Sequence, residues 1–207
     1  MKMRIPLFLA AATMLAVFTP VGATEAKSVA GPACCAKPQP KKAQYVRTVA
    51  SYPVSNLRFL DQESRDVVLA DVLREDGRPI ALNFVFTTCN TICPVMTATF
   101  AKLRNELGES ASDLRLVSVT IDPEHDTPAV LHQYAERYAA GADWRFLTGT
   151  VEEIVAVQKA FDAFAGSKMN HRPLTFLRAP GSSDWVRIDG FASAAELAAE
   201  VRSLTPR

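Results

Sequence analysis

The sequence predicts an α/β fold, a central sheet with helices on its faces. Three observations carry that prediction. Strand-patterned and helix-patterned segments alternate through the middle of the chain. One stretch, Ile80–Gly108, reads as strand, loop and helix in succession. A hairpin followed by a helix closes the chain. No repeat interrupts this order.

The elements follow in turn. Leu57–Leu60 and Asp66–Leu69 read as short paired strands around Asp61-Gln62-Glu63-Ser64. A brief segment to Leu73 and a turn at Glu75-Asp76-Gly77 lead into Ile80–Phe86, apolar, rich in strand formers and too short for a helix. Polar Thr87 and Thr88 then introduce Cys89 and Cys93. From Met96 the apolar residues Met96, Phe100, Leu103 and Leu107 share one helical face, with Gly108 as the stop. Pro94 suits the first turn of that helix, which puts Cys93 at about its N-cap. There the unpaired backbone donors and the macrodipole favour a thiolate, so Cys93 is expected to have the lower thiol pKa.

Leu114–Thr120 is the next strand. It runs into the loop Ile121–Pro128, where Thr127 or Asp126 caps a helix with Leu131, Tyr134, Ala135 and Tyr138 on one face. Trp144–Leu147 is a short strand. Thr150 and Glu153 form a capping box for a helix whose inner face is Ile154, Val157, Phe161 and Phe164. Leu174–Leu177 and Trp185–Ile188 pair as a hairpin about Ala179-Pro180-Gly181. Ser193 and Glu196 box the last helix, with its stripe of Ala194, Leu197, Val201 and Leu204.

Of the 207 residues, the first 23 have the pattern of a targeting segment: basic Lys2 and Arg4, an apolar run to Phe18, and a cleavage pattern at Val21-Gly22-Ala23. Cleavage is the favoured outcome; Ile5–Val21 as an uncleaved inner-membrane anchor is the alternative. Both send the chain across a membrane, most simply to a bacterial periplasm. Residues 24–50 are expected to be a flexible linker, rich in Ala, Pro, Lys and Gly over Lys27–Gln44. Residues 51–207 then form one domain with length enough for a real core. Of the 23 basic residues two lie in the targeting segment, which leaves 21 against 22 acidic. That balance points away from nucleic acid.

Four cysteines are too few to staple a chain of this size, so thiols in an oxidising compartment need another purpose, redox exchange or metal binding. Adjacent Cys34 and Cys35 rarely bridge each other without strain. On a tether they would carry a soft metal ion, exchange disulfides with a partner, bridge to the core pair, or be incidental. Cys89 and Cys93 are different, because a thiol pair where the first core strand meets its helix is the thioredoxin-like arrangement. Three residues separate them, where the ordinary redox motif has two. The wider loop allows a disulfide and also leaves room for both sulfurs on one soft ion, Cu(I) or zinc.

Three histidines compete for a third place. His132 lies off its helix's apolar stripe and reads as solvated surface. His125, in a turn-forming loop, reads as a capping or exposed residue. His171 directly precedes Leu174–Leu177, the strand that abuts the thiol loop in a thioredoxin-like fold, and is the favoured ligand. Met169 is a weak fourth ligand or, more simply, a gap-filling thioether. Asp122 reads as a turn former ahead of a supporting role behind the ligands.

These motifs together resemble the Sco/SenC family of copper chaperones for cytochrome c oxidase. The resemblance rests on Phe84-Val85-Phe86-Thr87-Thr88-Cys89 to Cys93-Pro94, on Ser118–Glu124 with Asp126-Thr127-Pro128, and on His171, and it spans Leu57 to Leu204. It implies a thioredoxin-like domain that binds one copper ion, Cu(I) or Cu(II), through Cys89, Cys93 and His171. It further implies cytochrome c oxidase subunit II or another copper protein as the partner, with a thioredoxin-like reductant in support. Such a chain is a metallochaperone rather than a turnover enzyme. The alternative is a thiol–disulfide oxidoreductase, or a peroxide-reducing relative, that uses the same cysteines without His171. Arg178-Ala179-Pro180-Gly181, Pro173 and the Cys34-Cys35 tether depart from the usual pattern and leave open whether metal transfer or thiol exchange dominates.

Overall fold

The structure is a computed structural model, and it describes residues 44–53, 56–74 and 77–205. The targeting segment, Cys34, Cys35 and the linker up to residue 43 lie outside the described residues. Eight strands form one mixed sheet: β1 (Tyr45–Ser51), β2 (Arg58–Asp61), β3 (Asp66–Val68), β4 (Ile80–Val85), β5 (Arg115–Thr120), β6 (Trp144–Thr148), β7 (Leu174–Arg178) and β8 (Asp184–Gly190). Their spatial order is β1-β8-β7-β4-β5-β6-β2-β3. β4, β5 and β6 run parallel and the remaining pairs are antiparallel.

Among the described residues five α-helices cover the sheet: α1 (Leu69–Val72), α2 (Ile92–Leu107), α3 (Pro128–Arg137), α4 (Val151–Ala160) and α5 (Ala194–Leu204). One face packs under α2, α3 and α5, where Phe100, Leu103, Leu131, Tyr134 and Leu197 meet Leu116, Trp144 and Phe146. The other packs under α1 and α4 around Phe161, whose ring lies within 5.1–6.1 Å of Tyr52, Phe84, Phe176 and Trp185. Burial on both sides explains why β4 reads as a nearly continuous apolar run, and β5, whose apolar residues alternate in sequence, is buried along its whole length as well. The predicted α/β, thioredoxin-like architecture is the one observed, with its β2–β3 hairpin and its closing β7–β8 hairpin plus α5. Both capping boxes are formed, and Thr127 caps α3 with Pro128 at the first position.

Three expectations need correction. β1 occupies residues expected to be linker. Its apolar Val46 and Val49 are exposed, so no core-facing pattern betrays it; it forms because all seven residues pair with β8. Gly190 makes room at that edge, with φ at +124° and no space for a side chain against Gln44 and Tyr45. Leu69, expected to end the second strand of the hairpin, instead opens α1, a single helical turn too short to show a period. Phe164 lies beyond the end of α4 and is exposed, with the Lys159 ammonium over its ring. Among the described residues no helix is long and apolar enough to cross a membrane.

Register sets up the site. The carboxyl ends of the parallel strands β4, β5 and β6 lie at one edge of the sheet. β7 runs the other way, with Asn83 opposite Thr175, so its beginning reaches the same edge. The loop after β4 and the segment before β7 therefore meet.

Candidate metal centre

α2 begins at Ile92, earlier than the sequence suggests, with Thr91 at the N-cap making no side-chain capping bond. A sulfur substitutes: the Cys93 backbone N–H donates to Cys89 Sγ at 3.4 Å. Cys89 is thus the thiol at the mouth of the helix, half-buried, its own N–H held by the Phe86 carbonyl at 3.2 Å. Cys93 is the second helical residue and turns inward against Val85 and Phe86, fully buried. Its Sγ receives the Phe86 N–H at 3.4 Å.

This reverses the expected order of the thiols. Burial drives the Cys93 thiol well above its ordinary value, and the single Phe86 donor does not offset it. Partial burial also pushes Cys89 upward, but hydrogen bonds from the Cys93 and Thr91 backbones outweigh it, and the net shift is downward. The helix mouth favours a thiolate as expected; the residue there is Cys89.

His171 follows a 3-10 turn, Lys168–Asn170, and is 8% exposed. Its Nδ1 lies 2.9 Å from the Lys168 carbonyl. A carbonyl only accepts, so Nδ1 carries the proton. Burial pulls the imidazole below its ordinary pKa against the opposing effect of that carbonyl, so the ring is neutral near pH 7 and Nε2 offers a lone pair. Nε2 sits 3.2 Å from Cys93 Sγ, and the Phe86 ring meets the imidazole edge to face at 5.1 Å. The donor atoms of Cys89, Cys93 and His171 all lie within 4.8 Å of one another.

The structure separates the remaining candidates from this cluster. His125 is a half-exposed partner of Asp126 at 3.1 Å, and His132 pairs on the surface with Glu63 and Glu136. Met169 is 76% exposed and fills no gap in the core. Asp122 is buried, accepts from Lys168 Nζ at 2.5 Å, and its carbonyl closes the turn by accepting from the His125 and Asp126 N–H groups. It is therefore both turn former and support. Two roles escaped the sequence reading, that of Asp126, which was expected only as a helix cap in place of Thr127, and that of Lys168. Asp126, fully buried, accepts from the Thr87 N–H at 3.1 Å, the Thr87 hydroxyl at 2.5 Å and the Thr120 hydroxyl at 2.5 Å, which anchors the cysteine loop. Lys168 bridges Asp122 to the histidine segment. Only the density of polar residues in Asp122–Thr127 hinted at either.

In the reduced, metal-free protein a small alkylating reagent is expected to label Cys89 at least about tenfold faster than Cys93 under native conditions. Timed peptide mapping measures this, and equal rates in the folded protein would contradict the burial of Cys93.

A family model described as SCO1/SenC matches residues 53–205. The SCO1 protein homolog of Bacillus subtilis is 36% identical over 107 residues, 51% of this chain and 54% of that one. A protein of Stutzerimonas stutzeri named for copper binding is 39% identical over 85 residues, 41% of each chain. The chain thus aligns with about half the length of these relatives or less. Among solved structures, BsSco, described as having a disulfide switch and as a member of the Sco family of cytochrome c oxidase assembly proteins, superposes with a TM-score of 0.63 at 28% identity. That match covers 77% of this chain and 96% of the other. Arabidopsis thaliana ScoI with copper bound shares the fold, with a TM-score of 0.61 at 23% identity over 72% and 94% of the two chains.

Proposed function

This chain belongs to the SCO1/SenC family, and from that premise we propose that it is an exported copper-binding protein holding one copper ion, Cu(I) or Cu(II), through Cys89, Cys93 and His171. Its task on this reading is to deliver copper to the dinuclear copper site of cytochrome c oxidase subunit II, or to keep that site's cysteines reduced, in the bacterial periplasm. The observation that carries the reading is the convergence of two sulfurs and one imidazole nitrogen within 4.8 Å, from segments 78 residues apart in sequence.

The donor set fits the ion. Two thiolates select soft Cu(I), and the neutral imidazole supports Cu(II) when the metal is oxidised. The cluster contains no carboxylate that would favour a hard cation. Zinc accepts the same ligands, and the copper-binding name of the Stutzerimonas relative favours copper. Half-buried Cys89 is the ligand a partner's thiolate reaches first; Cys93 and His171 let go last.

Replacing His171 by Ala tests the three-ligand site. Copper retained through desalting should be lost, while reduction of a small disulfide by the cysteine pair stays within a few-fold of wild type. Undisturbed copper retention in His171→Ala rules the site out.

One observation favours thiol exchange as a second reading: the accessible, pKa-lowered Cys89 lies directly above a buried partner thiol. Cys89 thiolate would attack a partner's disulfide and form a mixed disulfide. Cys93 would then attack Cys89 Sγ, its proton passing to the departing partner sulfur, and release the partner as a dithiol. Two electrons pass to the partner, the chain is left with a Cys89–Cys93 disulfide, and an external thioredoxin-like reductant restores it. The two roles are compatible, because only the reduced pair can load copper.

A further inference from the structure

Both loops that supply the donor atoms are fastened to one short turn, Asp122–Asp126. On the cysteine side the fastening is the buried Asp126 carboxylate holding Thr87. On the histidine side it is one ion pair, Lys168 Nζ to Asp122 Oδ2 at 2.5 Å, with the lysine side chain 41% exposed and the aspartate buried. The Lys168 carbonyl then receives both His171 Nδ1–H, at 2.9 Å, and the His171 N–H, at 3.3 Å. The same ammonium lies 5.7 Å over the Phe86 ring, which packs on His171 and whose N–H donates to Cys93 Sγ.

Apolar packing contributes little along this segment, where Ala163 is only partly buried against the core. Between Phe161 and His171 no residue is buried. Polar ties hold the segment: Arg187 grips Asp162 at its start, Arg172 pairs with Asp189 at its end, and Lys168 alone among these ties points toward the thiol loop. We propose that the Asp122–Lys168 ion pair is a latch that positions His171 against the two thiols, making Lys168 and Asp122 positioning residues of the centre. A supporting residue that fixes a ligand's ring orientation changes metal affinity by about 10–100-fold when removed. The latch rests on the copper reading above, but its geometry exists in the metal-free protein and can be tested there.

Lys168→Met keeps the aliphatic stem and removes the charge; Lys168→Arg keeps a cation in reach. In the reduced, metal-free protein, amides of residues 167–172 should exchange hydrogen about tenfold faster in Lys168→Met, with Thr87–Cys93 and the central strands unchanged. Copper affinity of the same variant should fall by about 10–100-fold, and Lys168→Arg should restore both within about threefold. Unchanged exchange at 167–172 in Lys168→Met overturns the latch, as does acceleration spread evenly over the sheet, which marks general destabilisation. If the wild type takes up no copper, the copper reading falls, and the exchange comparison still decides for or against the latch.

Discussion

Replacing Cys89 or Cys93 by Ser is expected to reduce bound copper from about one ion per chain to none, measured by metal analysis after reduction, loading and desalting. The argument is one of ligand chemistry, because the substitutions barely disturb the fold. A serine hydroxyl is hard, stays protonated at neutral pH, and does not replace a thiolate on Cu(I). At position 93 the hydroxyl still meets the Phe86 N–H and His171 Nε2, so its polar neighbours keep partners. Circular dichroism should therefore be unchanged while the metal is lost. A full ion retained by Cys93→Ser would place the metal elsewhere.

The same chemistry fixes the direction of pH dependence. Burial keeps Cys93 protonated in the free protein, and its proton must leave when metal binds. The loaded state holds fewer protons than the free one, so affinity rises with pH, by about tenfold per unit for each thiol protonated beforehand. Competition titrations between about pH 6 and 8 measure that slope.

How much of this was legible in the sequence depends on the range of the interaction concerned. Periodicity and caps are local, and they gave the central strands, α3, α4, α5 and both hairpins. Cys89, Cys93 and His171, which the structure brings together, were legible as candidates because each sits at a junction between patterned segments. Features set by distant partners were not. β1 exists through pairing with β8, some 140 residues away, and its Val46 and Val49 face solvent. The start of α2 was misplaced because a cysteine sulfur, not an ordinary capping side chain, receives the Cys93 N–H. That two-residue shift carried Cys93 into the core and exchanged the roles of the thiols. Asp126 and Lys168 work through bonds to Thr87, 39 residues away, and to Asp122, 46 residues away, which no spacing rule reveals.

Asp126→Ala should be the most destabilising polar substitution near the centre, costing about 3 kcal/mol in denaturant titration of the reduced, metal-free protein. Its carboxylate is fully buried and accepts three hydrogen bonds from Thr87 and Thr120, besides the contact to His125. Alanine removes the acceptor of all three donors, two on half-buried Thr87 and one on fully buried Thr120, and an unsatisfied buried donor costs about 1–3 kcal/mol. For a domain of this size that lowers Tm by about 6–12 °C. Asp126→Asn should cost about 1 kcal/mol, because its oxygen can serve Thr87 N–H and Thr120 while its amide donates to the Thr87 hydroxyl, which can turn to accept. A cost below about 1 kcal/mol for alanine would mean that water or a neighbouring group takes over the orphaned donors. The expected order, alanine far worse than asparagine, separates loss of hydrogen bonds from loss of charge. It also predicts that Thr87 and the Cys89 loop loosen together in the alanine variant, read as faster alkylation of Cys93, while the Lys168 tie to Asp122 keeps the histidine segment as slow to exchange as in the wild type.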